Sequence, residues 1–530
     1  MVNSMNNSLH DSFFAARRAL IFCGAIAIFV VAACNVGPKY HQPAATPQAP
    51  PMTYKETPEQ NPETSGDWKI AQPQDAMLHG KWWEIYHDPE LNGLEEQLNI
   101  NNQNVKQFFE NFMEARTLIA QARSQLYPTL SVGPSYTYAR SSANLRGSSG
   151  TTTTTTGTGG TATGSTTTVD RNSTLASIPF QATWEPDLWG KVRNTIHEYQ
   201  YQAQLSAADL ENERLTEQAS LAVFFFELRG QDAVQKVLDD TVAADEDSVK
   251  LAKARYDTGV DDQISVVEAQ NALDNAFAAA TNLGIARAQY EHAIALLIGV
   301  PASSFSLPVR PLNAAPPTIP IGVPSQLLER RPDVAAAERN MASANAQIGV
   351  ATAAYYPNLT LSGTAGFESS ALGNLLTWPS RFWSVGPGVS ETIFDAGLRG
   401  ATVKQYVALY NANVAAYRQT VLTAFQQVED YLAATRILSK QIQQQQQAVA
   451  SAQQYLELAQ ARYETGVDTY LNVLVAQTTL LTDQQALANL RTQVMTSSVQ
   501  LIEALGGGWD RSQLPTPAQV SEKVSITKAN

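Results

Sequence analysis

Residues that could carry out catalysis or bind a metal are few and scattered in this sequence. It contains no His-Glu-x-x-His zinc motif, no Gly-x-Ser-x-Gly nucleophile motif and no phosphate-loop lysine motif. The histidines beyond residue 40 are too far apart to predict a metal cluster; they are His41, His79, His87, His197 and His292. We therefore predict a protein that is not an enzyme and that has no cofactor and no metal.

One cysteine does predict a covalent modification. Arg17 and Arg18 precede an apolar run, and small residues then lead directly into Cys34, as in Val31-Ala32-Ala33-Cys34. This arrangement is typical of a bacterial lipoprotein signal peptide over residues 1–33, too short to span a membrane. After cleavage Cys34 would be the lipidated N-terminus, and no disulfide could form because Cys23 leaves with the signal. The alternative is an uncleaved N-terminal anchor helix.

The charge of the chain excludes one class of partner. The formal net charge is −13, and no basic run or stripe stands out. A surface of this sign repels phosphate backbones, so we expect no nucleic acid partner. Two other classes stay open on the residues alone, a soluble periplasmic enzyme and a helical lipoprotein that acts as an adhesin or scaffold.

The sequence contains an internal repeat. Ala254-Arg255-Tyr256-Asp257-Thr258-Gly259-Val260-Asp261 returns as Ala461-Arg462-Tyr463-Glu464-Thr465-Gly466-Val467-Asp468, an offset of 207 residues. The offset is 229 residues at Tyr127-Pro128 and Tyr356-Pro357, so the first copy carries 22 extra residues before Gly190. Residues 151–168 read TTTTTTGTGGTATGSTTT, a low-complexity stretch that predicts an exposed loop. Its Gly157-x-Gly159-x-x-Ala162 spacing follows threonines, not an apolar strand, and so does not predict dinucleotide binding.

Long helices must hold the repeated motif. Residues 401–465 contain no Gly or Pro, and within 191–258 only Gly230 interrupts, so each stretch predicts a helix of roughly 100 Å. Gly259 and Gly466 are placed to end these helices, with Asp261 and Asp468 as candidate N-caps of return helices that run to about 298 and 505. The sequence therefore predicts two antiparallel helical hairpins; an exposed coiled coil is the alternative.

Four segments between the helices alternate apolar with small or polar residues. They are residues 129–139, 176–188, 358–368 and 382–394. They are 11 or 13 residues long, enough for a tilted transmembrane strand, and aromatic residues cluster near the strand ends. The alternative is a pair of half-buried hairpins in a soluble protein. Because four membrane strands cannot close a barrel and unpaired edges are costly in lipid, membrane strands require at least a dimer.

These features divide the chain. We predict a signal peptide over 1–33, a lipidated linker over 34–90, a first repeat over 91–300, an inter-repeat linker over 301–324, a second repeat over 325–507 and a tail over 508–530.

In combination, several short motifs carry a resemblance to a known family. The chain resembles the outer membrane factor family, specifically its NodT/OprM-like lipoprotein branch, related to TolC. The motifs are Val36-Gly37-Pro38-Lys39-Tyr40, Trp82-Trp83, Asp88-Pro89-Glu90-Leu91, Trp184-Glu185-Pro186-Asp187-Leu188-Trp189-Gly190, Arg330-Arg331-Pro332-Asp333, Phe394-Asp395 and Gly506-Gly507-Gly508-Trp509. The resemblance implies a mainly α fold with a membrane β-barrel, in which a homotrimer forms a 12-stranded barrel continuous with a 12-helix periplasmic tunnel.

The same resemblance implies a function and partners. Such a trimer is the outer-membrane exit duct of a tripartite efflux pump; the alternative is the outer-membrane component of a type I secretion system. The partners implied are a periplasmic adaptor, an inner-membrane transporter and outer-membrane lipid.

It also implies roles for the hairpin tips. The tip residues would dock the adaptor, and they are Arg255, Tyr256, Gly259, Arg462, Tyr463 and Gly466. Leu471 matches the apolar constriction residue of the OprM-like branch, but Val475 replaces the carboxylate one turn later, which argues against a charged gate ring. We therefore predict a gate of apolar Leu471 and Val475, with Asp468 and Glu268 as the neighbouring acidic residues.

Overall fold

The computed structural model describes residues 35–46, 54–56, 80–140, 172–319 and 324–522. The predicted signal peptide, Cys34, the Thr-rich loop and the end of the tail lie outside these ranges. The chain divides into two compact units. One contains the described parts of 1–39, 119–198 and 345–407, and the other contains 40–118, 199–344 and 408–530.

The first unit contains an antiparallel sheet. Its strands are β1 (Thr129–Val132), β2 (Ser135–Arg140), β3 (Asn172–Trp184), β4 (Asn358–Ser369) and β5 (Arg381–Ser390). β1 and β2 pair with the same edge of β3, which pairs with β4, which pairs with β5. The predicted segment 129–139 is therefore split at Gly133, whose amide donates to the Pro179 carbonyl at 3.3 Å but receives no bond in return because Pro179 has no amide hydrogen. The register continues across the split, since Leu130 lies opposite Ala182 and Tyr136 lies opposite Ala176.

The other three strands differ from the predicted limits at their ends. β3 begins and ends four residues before the predicted 176–188 because residues beyond Trp184 turn into the next helix. In that turn the Leu188 amide donates to the Pro186 carbonyl at 2.9 Å, and the indole of Trp189 donates to the Pro357 carbonyl at 2.8 Å. β5 stops at Ser390, where its partner β4 begins at Asn358.

The strand pairing places apolar side chains on one face of the sheet and mostly polar side chains on the other. Residues directly opposite in an antiparallel sheet share a face. Along one such row Leu130 lies opposite Ala182, Ala182 opposite Gly363, and Gly363 opposite Val385. This apolar face continues through Val132, Tyr136, Tyr138, Ile178, Phe180, Trp184, Leu359, Leu361, Ala365, Phe367, Trp383 and Val389. The opposite face is mostly Ser, Thr, Gly, Gln and Glu.

Helices make up most of the described chain. They are α1 (Pro89–Asn101), α2 (Gln103–Ser124), α3 (Lys191–Asp257), α4 (Gln263–Leu297), α5 (Pro324–Arg330), α6 (Pro332–Ala353), α7 (Leu398–Glu464), α8 (Tyr470–Ala504) and α9 (Pro517–Val520). α3 and α7 have 67 residues each, and α4 and α8 have 35 each. In the part of the chain that the structure describes, we find no helical segment with the length and apolar character needed to span a bilayer.

The second unit is held by apolar clusters and by a buried ionic network. One cluster surrounds Trp82, Leu98, Phe225, Ile294 and Val499. Nearby, the Asp232 carboxylate accepts hydrogen bonds from the guanidinium groups of Arg229 at 3.1 Å and Arg287 at 2.8 Å. The Arg229 carbonyl accepts the Leu312 amide at 3.1 Å, so this network also fixes the segment that joins the two repeats. Buried charges of this kind are stable only when each is paired.

Candidate functional site

The two hairpin tips are built alike. Gly259 has φ +73° and Gly466 has φ +75°, a left-handed conformation that glycine adopts without strain. In the first tip the Val260 amide donates to the Arg255 carbonyl at 2.9 Å, and in the second the Val467 amide donates to the Arg462 carbonyl at 2.9 Å. Each glycine therefore ends a long helix and turns the chain toward its return helix.

The predicted N-caps of the return helices are wrong by one residue. Asp262 caps α4 by accepting the Ser265 amide at 3.2 Å, and Thr469 precedes α8 without a side-chain cap bond. The aspartates one position earlier, Asp261 and Asp468, are held by other contacts.

Asp261 belongs to a group of contacts that joins the two tips. The Tyr463 hydroxyl donates to Oδ2 of Asp261 at 2.6 Å, and the Arg255 guanidinium lies 4.6 Å from the Tyr463 ring centroid. Arg255 also donates to the Glu464 carbonyl at 2.9 Å, so it contacts backbone as well as ring in the second hairpin. We call Arg255, Asp261 and Tyr463 the inter-hairpin cluster.

The electrostatics of this cluster favour its present protonation state. Burial raises the pKa of Tyr463, and the hydrogen bond to Asp261 raises it further, so the phenol stays protonated and donating. Burial would raise the pKa of Asp261, but the Tyr463 hydroxyl, the Asp262 amide and the Ser265 hydroxyl outweigh burial and lower it. A neutral donor thus faces a charged acceptor, which gives a strong hydrogen bond.

Asp468 makes its contacts within its own tip. Arg462 donates to its Oδ2 at 3.2 Å, and Asn472 donates to its Oδ1 at 2.5 Å. The Thr469 amide, Asn472 and Arg462 together lower the Asp468 pKa. Because Arg462 and Asp468 lie at the surface, this pair adds little stability.

Small side chains let the hairpins approach behind the tips. Ala252, Ala269, Ala459 and Ala476 are buried together with Tyr463 and Tyr470. Polar groups cross the same contact, since Gln477 donates to the Ser248 hydroxyl at 3.0 Å. Burial also raises the pKa of Asp245, on the same helix as Ser248, to about 6.

The predicted gate residues lie on an exposed face of α8. The exposed fractions are 53% for Leu471 and 47% for Val475, one helical turn apart. At the corresponding repeat positions on α4, Ile264 is 64% exposed and Glu268 is partly exposed. Two apolar side chains are thus exposed on one face of α8.

The six predicted tip residues are not equivalent. The structure buries Tyr463, with 2% exposed, while its repeat counterpart Tyr256 is 45% exposed. Arg255 and Tyr463 contact each other between hairpins, whereas Tyr256 and Arg462 lie at the surface. Sequence reasoning missed the roles of Asp261 and Tyr470. The repeat itself was the only signal for Asp261, because its partner Tyr463 is 202 residues away.

Among the described residues, no group of three or more His, Cys, Asp or Glu residues is placed to hold a metal. The tips instead combine hydrogen bonds between hairpins with exposed apolar side chains.

Comparison with known sequences gives matches over most of the chain. A family profile described as outer membrane efflux protein matches residues 94–300 and 323–507. The chain is 30% identical over 489 residues to the probable efflux pump outer membrane protein TtgC of Pseudomonas putida, covering 92% of this chain and 95% of that protein. It is 29% identical over 489 residues to the outer membrane protein OprJ of Pseudomonas aeruginosa, covering 91% and 94%.

Solved structures give a similar result. The chain superposes on the outer-membrane channel OprN with a TM-score of 0.76 and 26% identity, covering 90% of this chain and 100% of that chain. It superposes on the Campylobacter jejuni CmeC outer membrane channel with a TM-score of 0.77, covering 93% and 99%. At 21% identity the second likeness shows the fold alone.

Proposed function

This chain belongs to the outer membrane efflux protein family, and we propose that three copies of it form the exit duct of a tripartite pump. The duct would conduct substrates passively from periplasm to exterior. It would do so after docking with a periplasmic adaptor and an inner-membrane transporter.

The observation that carries the proposal is the amphipathic sheet, with one apolar face and one polar face. One face presents apolar and aromatic side chains, and several are widely exposed, including Leu130 at 76%, Trp383 at 78% and Val385 at 78%. A water-soluble protein would bury such a face, whereas a membrane barrel presents it to lipid and turns the polar face toward the lumen. The sheet thus has the chemistry of a barrel wall.

The sheet edges argue for several copies. Among the described strands, β1 and β2 leave one edge of the sheet unpaired, and β5 leaves the other. In hydrocarbon each unpaired backbone group costs several kcal/mol, so the edges must pair with other copies. With β1 and β2 counted as one interrupted strand, each chain supplies four strands, and three copies give the 12-stranded barrel implied by the family resemblance.

The register of the sheet supports duplication of one structural unit. In the first repeat Leu130 lies opposite Ala182. Adding the sequence offsets of 229 and 207 residues gives positions 359 and 389. Leu359 does lie opposite Val389 in the second repeat. Both repeats therefore pair their own strands in the same register, as two copies of one unit would.

Two further parts of the proposal concern the membrane anchor and the gate. Acyl chains on Cys34 would add a lipid anchor that the barrel largely duplicates, so Cys34→Ser should lose acylation but stay in the outer membrane. Rings of Leu471 and Val475 would close the tunnel by dewetting, without charge. The adaptor would open the tunnel by binding the open tips more tightly than the closed ones.

The proposal is tested by purification and conductance. The protein should be extracted from the outer-membrane fraction as a trimer and should form pores in planar bilayers. Deletion of the gene should sensitise cells to small toxic compounds, and the wild-type gene should restore efflux. A soluble monomer without conductance would overturn the proposal. Normal efflux together with lost export of a protein would instead favour type I secretion.

A further inference from the structure

The charged residues of the sheet are distributed unevenly. Across the strands β1 to β5 the only basic residues are Arg140 and Arg381, and the only acidic residue is Glu368. Arg140 shares the face of Tyr136 and Tyr138, and Arg381 lies opposite Phe367 on the same apolar face. Glu368 lies on the polar face. Both cations thus occupy the lipid-facing side of the proposed barrel, with no strand carboxylate beside them.

Both arginines lie at the same end of the sheet. Arg140 ends β2, before the Thr-rich segment, and Arg381 begins β5, after the connection from β4. The other strand ends lead along the chain into helices. In the proposed topology this loop end is the exterior, so both arginines lie at the level of the outer leaflet.

The repeat predicts how the two arginines meet between copies. Within the chain β3 of the first repeat pairs with β4 of the second, and Ala176 lies opposite Ser369. The equivalent contact between copies joins β5 to β2 of the next copy. Applying the offsets of 207 and 229 residues, position 176 becomes Trp383 and position 369 becomes Arg140. Arg140 of the neighbouring copy therefore lies opposite Trp383.

We call this predicted contact of β5 with β2 of the next copy the seam. Across the seam, residues of the apolar face lie opposite residues of the apolar face. Within the chain Ile178 lies opposite Phe367. Applying the same offsets places Val385 of one copy opposite Tyr138 of the neighbouring copy. Apolar side chains are thus matched with apolar side chains along the seam. Arg381 is two residues from Trp383, so it is the diagonal neighbour of the other copy's Arg140, with about 7–8 Å between their Cα atoms.

The local geometry leaves these guanidinium groups able to bind an anion. Nε of Arg381 donates to the Trp378 carbonyl at 3.1 Å, and the group lies over the Trp378 ring. This contact orients Arg381, and no described residue accepts a hydrogen bond from its two terminal nitrogens. Arg140 and Trp378 are both exposed. Two like charges brought this close repel each other unless an anion lies between them.

We propose that Arg381 of one copy and Arg140 of the next bind the phosphate of an outer-leaflet lipid at each seam of the trimer. Guanidinium groups match the oxygen geometry of a phosphate, and the neighbouring tryptophan and tyrosine rings suit the boundary between acyl chains and head groups. The lipid would cover the seam and bridge two copies. This inference rests on the proposed trimer.

The seam register is tested first, by cross-linking. Arg140→Cys combined with Trp383→Cys should give covalently linked copies on mild oxidation, because the two positions are directly opposite. The matched control, Arg140→Cys with Ser384→Cys, places the second thiol on the other face and should not cross-link. Each single cysteine variant checks that Cys34 takes no part. Equal cross-linking of both pairs, or of neither, would overturn the seam and therefore the lipid site.

Lipid binding is then measured on the purified full-length trimer by native mass spectrometry. The probes are bisphosphorylated lipid A, its dephosphorylated form and inorganic phosphate. Arg140→Gln and Arg381→Gln should each weaken binding of the phosphorylated lipid by roughly fivefold, and the pair by roughly 25-fold if they act independently. Lys440→Gln removes the same charge from an exposed position on α7 and should change nothing.

The outcomes separate this inference from the proposed function. A conducting trimer that binds both lipid forms equally, or binds the phosphorylated form equally well without the arginines, would overturn the lipid site and leave the duct intact. Saturable binding of inorganic phosphate with the same affinity would overturn the assignment to a lipid. Failure to form a trimer at all would overturn the proposed function itself.

Discussion

The hydroxyl of Tyr463 lies 2.6 Å from Oδ2 of Asp261, which joins residues from the two repeats at the tips of the two hairpins. The repeat counterparts are Tyr256 and Asp468, and within one copy they make no described hydrogen bond to each other. Asp468 contacts Arg462 and Asn472, while Tyr256 is exposed. One half of a repeated contact is therefore formed within the chain. In the proposed trimer the other half would be available to a neighbouring copy.

The first prediction concerns the inter-hairpin cluster. Tyr463→Phe keeps the ring beneath Arg255 but removes the hydrogen bond to Asp261, which should cost about 1–3 kcal/mol at the tips. Hydrogen exchange should speed up in residues 455–470 with little change elsewhere, and single-channel conductance should rise if the contact holds the tunnel closed. Tyr455→Phe, which alters an exposed tyrosine on α7, is the control. Unchanged exchange in both variants would show that the hydrogen bond does not hold the tips.

The second prediction concerns the gate. Leu471→Ala with Val475→Ala should widen the constriction and raise single-channel conductance in bilayers, while changing stability by less than about 0.5 kcal/mol because both side chains are exposed. Leu458→Ala removes a similarly exposed side chain from α7 and should leave conductance unchanged. If the double variant instead lost trimer stability by about 2 kcal/mol or more without a gain in conductance, these residues would be packing residues. Asp468 and Glu268 would then be tested next.

The third prediction concerns pH. Burial raises the pKa of Asp245 to about 6 from an ordinary value of 3.8, so the folded state binds the proton more tightly than the unfolded chain does. The stability gained from protonation is fully present below about pH 4 and is lost as the pH rises through about 6. Asp245→Asn should remove this dependence and stabilise the hairpins by about 1–3 kcal/mol at pH 7.5.

Thermal unfolding midpoints between pH 4 and 7.5 provide the measurement for Asp245. Asp247→Asn, at an exposed aspartate two residues away, serves as the comparison and should keep the wild-type slope. An unchanged slope in Asp245→Asn would show that another group causes the pH dependence.

The fourth prediction concerns topology, and its segment lies outside the described residues except for 172–174, which begin β3. The Thr-rich segment connects β2 to β3. The interrupted strand β1–β2 follows a helix and β3 leads into one, so residues 142–174 should be exposed outside the cell. An epitope tag near Thr158 should be labelled on intact cells, because the first repeat carries its 22 extra residues between the two strands here. A tag at Gly259, at a hairpin tip, should be labelled only after permeabilisation. The reverse pattern would contradict both the barrel and its orientation.

Local patterns in the sequence were sufficient for the long helices and for the residues that end them. The absence of Gly and Pro from residues 401–465 predicted α7, and the Thr-Gly pairs at Gly259 and Gly466 predicted both left-handed turns. These features depend on residues close in sequence, so they can be derived without the fold. The N-caps were predicted one residue early because Asp261 and Asp468 are drawn into other contacts, which capping rules do not include.

The sequence by itself determined the repeat, the alternation of the strands and the family resemblance, because each is a property of composition and spacing. Only the tertiary structure decided that Tyr463 is buried while Tyr256 is exposed, and that Arg140 and Arg381 share the apolar face of the sheet. A near-identical motif can be in two environments because burial depends on what packs against it. For Tyr463 that neighbour is a hairpin some 200 residues away, and pairing across such a distance is fixed by the fold of the whole chain.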